Sequence, residues 1–124
     1  RQMCIRDSLK YLESHEWVEI SGNVARIGIT DYAQNELGDI VFVELPSVGE
    51  SVVADKEFAN VESVKAVSPV NSPVSGKIIA VNGALEDAPE MINDDAFDAW
   101  FVEVEITALS DKLLDAAAYE KICK

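Results

Sequence analysis

A chain of 124 residues has the length of one domain with room for a real core. Almost half of it is apolar (48%) and Val and Ala far outnumber the aromatic residues (7%), a globular composition rather than a disordered one. Ten Lys and Arg against 23 Asp and Glu leave a formal charge of −13, which argues against binding to nucleic acid or to an anionic membrane surface and favours docking onto basic patches of protein partners.

Residues 1–8, RQMCIRDS, have no Met at position 1 and no apolar h-region, and they resemble a translated adapter remnant. They are expected to be a non-native leader, with residues 9–124 forming a single domain. Cys4 and Cys123 lie near opposite ends without metal-ligand spacing, so neither a zinc site nor a disulfide framework is expected. A reduced, cytosolic setting follows. No apolar run approaches the length of a membrane-spanning helix.

In chain order, Glu16–Ile20 alternates polar and apolar as a half-buried strand does. Ser21-Gly22-Asn23 is turn chemistry, and Val24–Ile29 returns as the second arm of a hairpin. Thr30 caps a short helix from Asp31 through Asn35 or Leu37, which Gly38 ends. Ile40–Leu45 is a strong strand stopped by Pro46, and Ser51–Ala54 is a short one. Phe58–Val64 and Ala66–Val70 read as two strands meeting at a tight reversal. Pro73–Lys77 turns into a buried strand at Ile78–Val81, and Asn82–Asp87 is a turn with one helical turn. Trp100–Ile106 alternates clearly and is the last strand. Ser110 is placed to cap a helical turn through Leu113-Leu114, and Ala116–Cys123 is an alanine-rich helix. Many short strands between Gly, Pro and Asn turns argue for a small β-sandwich or flattened barrel.

The reversal carries the one residue with little to do for the fold. In Val61-Glu62-Ser63-Val64-Lys65-Ala66, Lys65 stands at the tip with Glu62 as the nearest charge. Its flexible stem and unpaired amine suit it to modification by another enzyme, although most exposed lysines are plain solubilising charges. Little else suggests chemistry. His15 is the only histidine and lacks companions for a metal. Ser14 and His15, taken as neighbours on a strand, would point to opposite faces and could not serve one substrate atom. No phosphate-cradling glycine loop is present. Trp17 and Trp100 read as core. What remains is a body without a catalytic constellation and a displayed lysine, as a swinging-arm carrier requires.

SHEWV (Ser14–Val18), IGITDYAQ (Ile27–Gln34), LGDIVFVELP (Leu37–Pro46), VESVKA (Val61–Ala66), SPVSG (Ser72–Gly76) and VN…LEDAPEMIN (Val81–Asn93) stand in the order seen in the H protein of the glycine cleavage system, which the chain resembles from about Tyr11 to Tyr119. The resemblance implies a mainly β, lipoyl/biotinyl-carrier-like flattened barrel-sandwich of short antiparallel strands. A short helix follows the first hairpin, and short helices stand at the C-terminal end. It implies no enzyme activity of its own. It implies lipoic acid in amide linkage to Lys65, Glu62 as a recognition point for the lipoylating enzyme, and Ser14 and Glu16 in the cleft that receives the arm. There Glu16 could pair with an aminomethyl cation.

The implied partners are glycine decarboxylase (the P protein), the aminomethyltransferase (the T protein), dihydrolipoamide dehydrogenase (the L protein) and the lipoate-attaching enzymes. The aminomethyl group of glycine would be carried from the first to the second. The implied compartment is the bacterial cytoplasm, or the mitochondrial matrix in a eukaryote. The chain departs from the family pattern at Pro69, where an Asp is usual, and in a shortened Asp94–Ala99 loop. Glu103 and Glu105 stand where many members have lysines. These departures motivate one alternative, an H-like relay passing lipoyl groups to other enzymes. A second alternative is an unmodified β-rich interaction module.

Overall fold

The computed structural model describes residues 9–122. The proposed leader at residues 1–8, with Cys4, and the helix end at Cys123 lie outside the described residues. Among these residues nine strands form two antiparallel sheets. The larger runs β1-β2-β3-β9-β8-β5, built from Lys10–Tyr11, Glu16–Ser21, Val24–Ile29, Val102–Leu109, Val74–Val81 and Ser51–Val52. The smaller runs β4-β6-β7, from Ile40–Glu44, Glu57–Ser63 and Val67–Asn71. Four short helices accompany them among the described residues: α1 (Asp31–Leu37) between the sheets, α2 (Ala84–Asp87) and α3 (Met91–Asp94) between β8 and β9, and α4 (Ala116–Ile122) after the last strand.

The sheets face each other across a core that alternation dictates. Val18, Ala25 and Ile27 turn inward from β2 and β3, Ile78 and Val104 from β8 and β9, and Val43, Val61 and Val70 from the smaller sheet. All are essentially sealed from water, which for each Val or Ile is worth about 1.5–3 kcal/mol. A second cluster of Leu9, Tyr11, Trp17, Phe97, Ala116 and Tyr119 packs α4 against the first strands. Trp17 lies across Gly28, its partner on β3, and its indole N–H donates to the Ala96 carbonyl at 3.1 Å. Trp100 is half-buried beneath the Arg26 guanidinium, 5.1 Å from the ring centre.

The expected hairpin, first helix and lysine reversal are all present. Thr30 accepts the Ala33 amide as N-cap, and Gly38 ends α1 at φ +81°. Several boundaries differ. Where a turn was expected at Pro73–Lys77, β8 already begins at Val74, since its amides are taken up along β9. The last strand starts at Val102 rather than Trp100 and runs on to Leu109.

No helical turn follows Ser110. Its hydroxyl donates to Asp55 and accepts the Lys112 amide, and Leu114 instead bridges to Tyr11 in both directions at 2.7 and 2.8 Å. Ser14 and His15 are not on a strand. They sit in the turn before β2, where His15 takes the left-handed region at φ +78°.

Candidate functional site: the lysine hairpin and its approach

The β6–β7 hairpin is short because one side chain closes it. Ser63 is inward and buried, and its Oγ accepts the amides of Lys65 (3.1 Å) and Ala66 (3.2 Å). Its own amide donates to the Ala66 carbonyl at 2.8 Å. A serine that satisfies two backbone donors at once fixes a turn which bare backbone would leave open. Val64, Lys65 and Ala66 are therefore held outward, and all three are exposed. The Lys65 ammonium makes no hydrogen bond or ion pair with any described residue.

The tip rests on the loop between α1 and β4. The Val64 amide donates to the Asp39 carbonyl at 3.0 Å. The Lys65 stem passes over Gly38, where an added Cβ would come within 3.4 Å of its Cε. Glycine thus serves twice here, ending α1 in the left-handed region and leaving the lysine stem its path.

Glu62 is exposed on the outer face of the smaller sheet, opposite Phe42 on β4 and Val67 on β7. Phe42, Val64 and Val67 are 48%, 67% and 62% exposed, so the lysine rises beside exposed apolar side chains, with Glu62 next to them.

Ser14 and Glu16 lie at the far end of β7. Four strand positions separate Val67 from Asn71, about 13 Å at the usual rise. Glu16 is 1% exposed, yet it has no basic partner among the described residues. One oxygen accepts the Ser14 hydroxyl at 2.5 Å and the other the Asn71 amide at 2.8 Å, while Asn71 Nδ2 donates to Ser14 Oγ at 3.3 Å. Burial pushes the Glu16 pKa up, and these hydrogen bonds hold it back only in part. Beside the triad lies an open groove of about 490 Å³ lined by Leu12, Ser14, Asn71, Lys112, Leu114 and Ala118, among others.

Ser14 and Glu16 are thus brought together, whereas Lys65 and Glu62 stand a strand's length away. A lysine bearing a long acyl arm could lie back along β7 toward this groove, so the residues present fit such a group.

His15 takes no part. Its Nδ1 meets the Tyr119 hydroxyl at 2.8 Å, that hydroxyl meets Thr30 Oγ1 at 2.6 Å, and Tyr32 stacks on the imidazole. Burial lowers the His15 pKa against the opposing pull of Glu36 and Glu13. Among the described residues no cluster of His, Cys, Asp or Glu could hold a metal ion, and no helix is long and apolar enough to cross a membrane.

Ser63 falls inside the expected strand Phe58–Val64, and its closing of the turn was not anticipated. Asn71 and Asn93, whose side-chain or carboxylate partners are 53 or more positions away, leave no local signal.

The family model described as Glycine cleavage H-protein matches residues 9–124. A Glycine cleavage system H protein of Treponema denticola is 56% identical over 122 residues, covering 98% of this chain and 100% of the relative. A Probable glycine cleavage system H protein of Natronomonas pharaonis is 57% identical over 113 residues, 90% of each. The crystal structure of a glycine cleavage system H protein from Mycobacterium marinum superposes with a TM-score of 0.89 at 40% identity, covering 94% of this chain and 97% of that one. With two packed antiparallel sheets and an exposed lysine at a serine-closed turn, the chain belongs to the glycine cleavage H-protein family.

Proposed function

We propose that Lys65 is the attachment post for the lipoyl group that members of this family carry. The family's role, a carrier subunit of the glycine cleavage system and not an enzyme, is the role of this chain. The observation that supports Lys65 is its position: an exposed amine without a partner among the described residues, on a tip whose amides are all hydrogen-bonded. The turn fixes the root of the side chain, and the exposed, flexible stem lets a modifying enzyme reach the amine.

When bound, lipoate supplies a dithiolane able to accept the aminomethyl group of glycine and hand it on. The chain's own residues position and shelter that arm. Ser63 holds the root, and Gly38 gives the stem clearance. The groove beside Ser14 and Asn71 offers a seat partly screened from water. Glu16 sits behind that groove as a buried carboxyl whose oxygens are already engaged. Its first role is to fix the end of β7; the carboxylate keeps acceptor sites to spare, so burial rather than a lack of lone pairs separates it from a cation in the groove.

Glu62, alone among apolar neighbours on the outer face, is the group a lipoate-attaching enzyme would recognise. The partners that follow are that enzyme, the P, T and L proteins of the system, and no nucleic acid or membrane. Cytoplasm is the compartment proposed, as for a bacterial carrier.

Intact mass after co-expression with a lipoate ligase tests the assignment. The wild-type chain should gain one lipoyl group. Lys65→Arg should gain none, while its melting temperature stays within about 2 °C because an exposed charge is conserved. A lipoyl group retained by Lys65→Arg would place the site elsewhere.

A further inference from the structure

The peptide group between Asp39 and Ile40 is held at both ends. Its carbonyl accepts the Val64 amide at 3.0 Å, which suspends the lysine turn from the α1–β4 loop. Its N–H donates to Asn93 Oδ1 at 2.9 Å. The same Asn93 side chain donates from Nδ2 to the Gly38 carbonyl at 2.9 Å and to Gln34 Oε1 at 2.9 Å. One amide group thus straddles Asp39, taking the donor on one side of it and the acceptor on the other. An asparagine can do this because it carries an acceptor and two donors on one rigid plane.

We propose that Asn93 is a positioning residue for the modified lysine, acting through the Asp39–Ile40 peptide. This rests on the reading of Lys65 as the attachment post. Two features make α3 a suitable mount. It is anchored by Ile92, which is fully buried in the core, and Asn93 itself is half-buried, so its bonds face reduced competition from water. Hydrogen bonds at the two ends of one peptide polarise each other, so the Asn93 contact strengthens the acceptor on which Val64 hangs. Removing it leaves Ile40 N–H and the Gly38 carbonyl without their partner and frees the loop beneath the tip. The lysine would still be present and exposed, but its root would sample several heights. A modifying enzyme would then select the one it can use, which raises the apparent KM for the carrier and leaves kcat alone.

Asn93→Ala is compared with wild type in two assays. The first is lipoylation by a lipoate ligase with ATP and free lipoate, read by intact mass. The second is amide hydrogen exchange by NMR. The expected result is a KM for the carrier raised about fivefold to tenfold, the weight of one net hydrogen bond, with kcat unchanged. The Val64 amide should exchange faster by a similar factor while that of Val104, deep in the core, keeps its wild-type rate. An unchanged KM, or Val64 accelerating only in step with Val104, overturns the inference, since the latter is general loss of stability. Should the variant fail to fold, exchange in the wild type decides. Ile40 and Val64 should be protected together and more strongly than Lys65, and a Val64 amide exchanging at the unprotected rate overturns the inference. The lipoyl mass of the wild type separately tests the attachment site, so each idea can fail without the other.

Discussion

Glu16 shows how a single buried group can set the acid–base behaviour of a fold that runs no reaction. Its folded pKa is raised above the ordinary value of 4.5, so the folded state binds the proton more tightly than the unfolded chain does. Stability from this group is therefore complete below 4.5 and is lost as pH rises through the folded value. Glu16→Gln keeps the shape, can accept the Asn71 amide and can donate to Ser14, and it carries no charge to desolvate. The variant should be at least as stable as wild type at pH 7. Its advantage should shrink as pH falls toward 4.5, which urea melts across that range would measure. An advantage that grows on acidification would contradict desolvation as the cause of the raised pKa.

At the scale of elements, β8 and β9 are the longest strands, and they depend on a close approach. A Cβ at Gly76 would stand 2.0 Å from the Glu105 carbonyl oxygen, which is backbone and cannot swing aside. Gly76→Ala should cost about 1–3 kcal/mol or more by forcing the strands apart, read as a lowered urea midpoint. A midpoint within error of wild type would mean the strands part freely. Such contacts explain what was legible in the chain. The hairpin, the Thr30 cap and the lysine turn rest on neighbours in sequence, and alternation or turn chemistry announced them. The start of β8 at Val74, the bridge at Leu114 and the Asn93 clamp rest on partners far along the chain, which no local pattern marks. Ser110 misled for the same reason. Its hydroxyl looked like a helix cap and instead serves Asp55 across the fold. Lys65 and Glu62 were legible as a motif, whereas the sealed state of Glu16 was not, because its burial depends on Asn71 arriving from β7.

The whole molecule carries 23 acidic residues against ten basic ones. Attraction to a basic-faced partner enzyme acts mainly on the rate of encounter and is screened within about 8 Å at physiological salt. The kcat/KM of lipoylation with the carrier as substrate should fall by about tenfold or more between low and high ionic strength. A flat profile would leave the charge with solubility as its sole role.

Sheet order places β7 at an open edge, and two residues leave that edge with little to offer. Pro69 has no amide hydrogen, and the amide of Asn71 is spent on Glu16. A shuttle that meets several large proteins in turn must let each one go. A blunted margin denies any neighbour, including a sister molecule, the ladder of donors on which strand addition and fibril growth begin.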